Sequence, residues 1–322
     1  MFNIKMKKGE ITSGQIVRVA AVVFSMIVML IFYLIYPWQG TIDKEACHNS
    51  IVLRSSFNYA IIEKIKNVVP LRCKTEKLCF SMGGDDCEAF GKSTKKNPVT
   101  KIDVKDIDDV KEGIAQAMYD CNSMLGEGKL NFMPSPSWRE GVYGLTCARF
   151  GFDKKAREEL KELKYTELYK YMSEKQDPEG RDYLTYIYPS WVDWRASENL
   201  FEEVKKYDPQ NKLQDLKLDD WKINLETEDG HAIVAEMFKK GQWVQSLTTG
   251  GVVVAEVVGI ILSATGKLPL GAGLLKIGAV AGGFLIVYTD ASGEYEYAPP
   301  FIIPYDLKSL ESLKVTSFEF AP

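Results

Sequence analysis

Hydrophobic positions are spread unevenly along the chain, and their spacing divides it. Residues Val19 to Tyr36 read VAAVVFSMIVMLIFYLIY without a charge, a length that suits lipid tails better than a soluble core. Lys5, Lys7, Lys8 and Arg18 precede the run against Glu10 alone, which assigns the N-terminus to the cytoplasm and the following chain to the outside. Tyr33, Tyr36 and Trp38 stand where rings favour the headgroup layer, and Pro37 ends the helix. A cleaved signal peptide fits less well, because the run is long and no small-residue cleavage site follows Tyr36. A prepilin-like leader after Lys7, Lys8 and Gly9 also fits less well, because Glu10 to Arg18 intervene before the apolar run.

Beyond the run the apolar positions recur at helical or alternating spacing. Asp43 to Asn58 predicts a helix that turns Cys47 inward, and Leu71 to Phe80 predicts strand with a turn at Thr75 to Lys77. Gly83 and Gly84 make a tight loop after which Cys87 can close locally on Cys79. Ile107, Val110, Ile114, Met118, Cys121 and Leu125 predict an amphipathic helix, with Cys121 on its buried face and Gly126 as its stop. Asp106, Asp108 and Asp109 serve its first turn as caps; a calcium loop would need a different spacing. Asp153 caps a further charged helix, and Thr166 starts another. Trp221, Ile223 and Leu225 alternate with charges before Asp229-Gly230 and Ala232 to Phe238, which predicts a β-hairpin with His231 as an exposed turn residue.

A second apolar region, Gly250 to Tyr288, is glycine-rich and divides at Gly266 to Pro269. Glu256 and Lys276 are the charges within its two halves and lie symmetrically about Gly266, since (256 + 276)/2 = 266. In an antiparallel helical hairpin they share a depth and can pair, which offsets the cost of a charge away from water. Three placements remain open: entry into a membrane, packing on the soluble domain or on identical neighbours, and a buried sheet insertion. Tyr295 to Ile303 then alternates as a strand that Pro299, Pro300 and Pro304 push to a sheet edge, and the chain ends with a short helix from Asp306 and a strand over Val315 to Phe320.

These elements give an α+β fold with an N-terminal transmembrane helix, a disulfide-stabilised mixed domain and a Gly-rich apolar helical hairpin inserted in it. The expected division is a cytoplasmic N-terminus over 1–15, an anchor over 16–37, an extracytoplasmic α+β domain over 38–244, the hairpin over 245–290 and a return to the domain over 291–322.

Composition sharpens location more than chemistry. A net charge of -4 argues against a nucleic-acid partner, which needs clustered excess Lys and Arg. All six cysteines, Cys47, Cys73, Cys79, Cys87, Cys121 and Cys147, follow the anchor, as disulfides in an oxidising compartment would. Zinc is the competing use, but finger spacing is absent and His48 beside Cys47 cannot readily share a tetrahedral centre with it. Phe90-Gly91-Lys92-Ser93 lacks the first glycine of a phosphate loop, since Asp86 stands there, so no nucleotide is expected. Nucleophile-elbow, zinc-hydrolase, dinucleotide and C-x-x-C redox motifs are missing too, and no catalytic residue, cofactor or metal follows. The aromatic stretch that holds Tyr183, Tyr186, Tyr188, Trp191 and Trp194 is either core packing or an interaction surface.

CHNSIVLR from Cys47, LRCKT from Leu71, AMYDCNSMLGEGKLNF from Ala117, CARFGFD from Cys147 and PPFIIPYDLKSLESLKVTSFEF from Pro299 together resemble a group of uncharacterised membrane-anchored, cysteine-containing extracytoplasmic proteins of small-genome archaea. Asp120 to Lys129 is the most specific segment, and Cys79 and Cys87 look additional to that group's usual cysteines. The resemblance implies location and supplies no activity. The expected protein is thus a non-enzymatic interaction or assembly protein of the cell surface, whose partners are the lipid bilayer and either other copies or another surface protein. The alternatives are a membrane-perturbing or pore-forming component that uses 250–288, and an envelope hydrolase with a pair of carboxylates.

Overall fold

The computed structural model describes residues 21–28, 39–56, 70–94, 97–131, 142–189, 217, 219, 222–239, 253–256, 276–280, 283–289 and 295–306. Two compact units divide the chain, Met1–Asp43 and Lys44–Pro322. In the first, residues 21–28 are helical, and Val22, Phe24, Met26 and Ile27 each expose half or more of their surface. Among the described residues no helix is long and apolar enough to cross a membrane. The rest of the anchor expected over 16–37 lies outside the described residues.

The helices are α1 (Gln39–Ser55), α2 (Ile107–Met124), α3 (Lys154–Leu160), α4 (Tyr165–Glu174) and α5 (Tyr183–Ile187). The strands are β1 (Glu76–Ser81), β2 (Thr100–Asp103), β3 (Val142–Phe152), β4 (Glu162–Lys164), β5 (Lys222–Asn224), β6 (His231–Lys239), β7 (Val253–Glu256), β8 (Lys276–Val280), β9 (Gly283–Thr289) and β10 (Tyr295–Pro304). Eight of them form one mixed sheet in the order β2-β1-β3-β6-β10-β9-β8-β7. β1 runs parallel to β2 and β3, and each later pairing is antiparallel.

Local chemistry explains the helix that covers this sheet. The Asp106 carboxylate accepts from the backbone N–H groups of Asp108 and Asp109, so the acids of that turn act as caps. Val110, Ile114, Ala117, Met118 and Cys121 of α2 then bury one stripe. Gly113 costs helix propensity but permits contact, because a Cβ there would stand 2.4 Å from the Phe80 ring of β1. Asp153 is wholly buried and caps α3 through the Ala156 N–H at 2.7 Å. It also accepts from Ser81 Oγ at 2.6 Å and from Gly83 N–H at 2.9 Å, which fastens the end of β3 to the end of β1. Burial alone would raise the pKa of this carboxyl; these bonds outweigh it and hold the group below its ordinary range.

Two expectations about the sheet are corrected. Lys222–Asn224 does not pair with the strand beyond Asp229-Gly230; it forms a separate two-stranded sheet with β4, Leu163 opposite Ile223. The reason lies in the burial each segment demands. β5 reads exposed, buried, exposed, whereas Ala232 to Met237 is buried at every position and takes a central place between β3 and β10. β10 is likewise interior, although its prolines predicted an edge. The register slips between Ala298 and Phe301, so Pro299 and Pro300 fall in a bulge where ladder bonds are interrupted anyway. There Tyr188 donates its hydroxyl to the Pro300 carbonyl at 2.8 Å, and Tyr165 donates to that of Ile302 at 3.0 Å. The helix from Asp306 and the strand over Val315 to Phe320 lie outside the described residues.

His231 is also corrected, from exposed turn residue to a buried ring at 2% exposure, stacked on Phe150 with centroids 5.2 Å apart. Burial, opposed by the nearby Asp306, lowers its pKa to about 4. The preceding Gly230 adopts φ +73°, and a Cβ there would meet the Phe150 carbonyl oxygen at 2.4 Å. Gly230→Ala combines left-handed strain with a backbone clash and is expected to destabilise the domain by roughly 2–4 kcal/mol. Urea unfolding followed by circular dichroism checks it, and a midpoint equal to the native one counts against this account.

Candidate functional site

The six cysteines form three bonds. Cys47–Cys73 ties α1 to the segment before β1, Cys79–Cys87 closes the loop after β1 as its glycines suggested, and Cys121–Cys147 joins α2 to β3. All six sulfur-bearing residues are buried and none is free, so they are structural and are not a thiol site. Among the described residues no three His, Cys, Asp or Glu side chains gather as a metal site.

The aromatic stretch divides differently from an interaction surface. Tyr183, Tyr186 and Tyr188 are buried at 6, 8 and 2% exposure, and Trp191 and Trp194 lie outside the described residues. The three tyrosines are core because each hydroxyl or ring has an interior task. Tyr183 donates to Gln116 Oε1 at 2.9 Å, Tyr188 reaches the β10 bulge, and the Tyr186 ring packs 4.8 Å from Tyr119 and beneath Arg181. Burial raises the Tyr186 pKa to about 12.

Glu256 and Lys276 occupy opposed positions, but on strands. β7 and β8 are antiparallel with Glu256 in register with Lys276, and β8 pairs in turn with β9. The helical hairpin expected here is therefore corrected to a β-meander over the described residues 253–256, 276–280 and 283–289. Its glycines and β-branched valines and isoleucines are poor helix formers, and the side of β10 not taken by β6 offers β9 a ladder of backbone partners.

Two features had no sequence signal. The first is a pair of carboxylates on the sheet face away from the helices. The helical core contains Ile233, Ala235, Met237 and Tyr297, so the alternate positions Glu236 and Glu296 share the other face. Both are buried, at 0 and 1% exposure, and Glu236 stands between Gly144 of β3 and Ala298 of β10. Glu296 is two positions from Ala298, which makes the acids diagonal neighbours, about 7–8 Å apart at Cα. Neither Glu236 oxygen has a hydrogen-bond partner among the described residues, and burial raises this carboxyl to a pKa of about 8. At neutral pH it is protonated. Closed to solvent, the pair cannot meet a substrate in this arrangement.

The second feature lies at the carboxyl ends of β1 and β3. An open groove of about 370 Å³ is lined by Glu88, Lys154, Arg157, Glu158, Glu226 and Glu228. Arg157 neutralises part of its acidity, with Nη2 2.7 Å from Glu88 and Nη1 4.0 Å from Glu228. Along the chain from Glu88 and Glu228 stand Phe90 and Asp229, next to the half-buried Arg149 of β3. The Arg149 guanidinium carbon lies 3.5 Å from the Tyr305 ring centroid and 5.3 Å from that of Phe90. Burial lowers its pKa, against the opposing effects of Tyr305 and Asp229.

No family model, curated protein or solved structure matches the chain.

Glu236 gives stability a definite pH dependence. Its unfolded carboxyl titrates near 4.5 and the folded one near 8, so between these values the unfolded chain releases a proton that the folded chain keeps. Stability therefore falls as pH rises through this window and levels off above it, by at most roughly 3–5 kcal/mol. Glu236→Gln removes that contribution, so its melting temperature relative to native protein should climb steadily from pH 5 to pH 8. A constant difference across the series contradicts the assignment, and a fixed offset from the buried amide does not affect the comparison.

Proposed function

We propose that the chain is a membrane-held, extracytoplasmic protein that works by binding or assembly, and not by catalysis. One observation supports this reading above others: all six cysteines downstream of the apolar run are in bonds within one folded unit, the state that an oxidising compartment maintains. The apolar side chains of residues 21–28 are exposed around the helix and fit a lipid surround. The resemblance to membrane-anchored archaeal surface proteins belongs to the same proposal. Glu236 and Glu296 are sealed from solvent and are not the acids of a hydrolase site in this arrangement.

Protease added to intact cells should release a fragment that carries all three bonds. Maleimide should label no thiol in that fragment until it is denatured and reduced, and six afterwards. Protection from protease, together with free thiols that a cytoplasmic labelling scheme reaches, rejects the orientation.

The register of Glu256 with Lys276 favours a second reading, in which the 250–288 region perturbs membranes. Residues of opposite charge in register on adjacent strands lower the penalty for leaving water relative to a lone charge. Full-length protein should then release dye from anionic liposomes, and Lys276→Glu, which sets two acids opposite each other, should reduce release about tenfold or more. Intact liposomes with native protein dispose of this reading and leave the first untouched.

A further inference from the structure

We infer that Arg149 is a docking point for a carboxylate carried by a partner of this protein. This gives the binding reading a partner chemistry and rests on that reading only for where the partner is met.

The Arg149 guanidinium lies over the faces of the Tyr305 and Phe90 rings, with its carbon 3.5 and 5.3 Å from their centroids. Rings so placed use none of its N–H donors, and those donors are what arginine presents to a carboxylate in two parallel bonds. Among the described residues no ion pair engages this side chain, and Nε is buried without a hydrogen-bond partner. Asp229 is near enough to favour the charge, yet the two are not hydrogen-bonded. A cation held in this way ordinarily finds its acceptors within the fold; here the in-plane donors are left over.

The clamp is preorganised. Tyr305 is fixed by its own N–H, which donates to the Gly230 carbonyl at 3.0 Å in the turn before β6. Phe90 is fixed by its N–H to the Cys87 carbonyl at 3.1 Å, in the loop that the Cys79–Cys87 bond closes. Two separate turns thus hold two rings against one cation before any ligand arrives, which reduces the ordering cost of binding. All three side chains are half-buried, and the two Nη groups of Arg149, unlike Nε, are not among the buried atoms, so the end of the fork can be reached from solvent.

Surrounding charge selects the kind of anion. Asp229 lies beside the arginine, and Glu88, Glu226 and Glu228 line the neighbouring groove. A dianionic phosphate meets twice the repulsion from these acids that a single carboxylate meets. A terminal or side-chain carboxylate is therefore the favoured ligand.

The test uses full-length protein in lipid nanodiscs with arginine side chains labelled by nitrogen-15. Sodium acetate, sodium phosphate and sodium chloride are titrated at matched ionic strength. One arginine Nη–H resonance should shift saturably with acetate and less with phosphate. That resonance should be missing from Arg149→Lys, which keeps the charge and so the fold but lacks the fork. Tyr305→Leu should weaken the acetate response about 3-fold or more by loosening the clamp. Three results overturn the inference: no arginine resonance saturates with acetate, the responding resonance persists in Arg149→Lys, or phosphate binds more tightly than acetate. None of these bears on the cell-shaving outcome, so loss of this inference and loss of the surface assignment remain distinguishable.

Discussion

The fold depends on how α2 is fastened to the sheet. Cys121 bonds covalently to Cys147 of β3, and its neighbour Asn122 bridges in two directions. The Asn122 side-chain oxygen accepts from the Tyr297 hydroxyl of β10 at 3.1 Å, and its nitrogen donates to the Tyr186 carbonyl of α5 at 3.3 Å. Gly113 lets the same helix approach β1. One helix therefore grips three strands of the mixed sheet, including strands from its parallel and antiparallel parts. A buried amide left without these partners would cost about 1–3 kcal/mol, so position 122 specifies the docking as well as stabilising it. The Lys44 ammonium reinforces the seat, reaching Asp120 of α2 and lying 3.4 Å from Glu76 of β1.

Tyrosine is the second fastening material. A bulge in β10 frees carbonyls inside the protein, where water cannot satisfy them, and Tyr165 and Tyr188 supply the missing donors. Each hydroxyl supplies a donor to a buried β10 carbonyl, Tyr188 at Pro300 in the bulge and Tyr165 at Ile302 just beyond it. Burial raises the pKa of both phenols well above the ordinary value, so they remain donors at any physiological pH.

Elements with a local cause were legible in the sequence. The α2 stripe, the Asp106 and Asp153 caps, the inward face of Cys47 and the short Cys79–Cys87 loop all follow from spacing within about a dozen residues. Features set by distant partners were not. The Asp229-Gly230 turn was visible, but nothing near it says that β6 pairs with β3 and β10 and not with β5. Prolines in β10 looked like an edge signal because a bulge satisfied by tyrosines more than a hundred residues away has no local signature. The symmetric placing of Glu256 and Lys276 suggested a shared depth in a helical hairpin, whereas the two stand in register on strands, because nothing local in an apolar glycine-rich run separates helix from strand. The Arg149 clamp and the Glu236–Glu296 diagonal arise only when β3, β6 and β10 lie side by side.

The three sulfur bridges also carry an order. Of the fifteen pairings that six cysteines allow, this fold uses the one in which each cysteine bonds to the next along the chain, 47 with 73, 79 with 87 and 121 with 147. No loop encloses or interlocks with another. A polypeptide that emerges N-terminus first thus meets each correct partner before a wrong one is available, so oxidation can proceed in step with emergence. Such a chain has little need of an enzyme that reshuffles mistaken bonds.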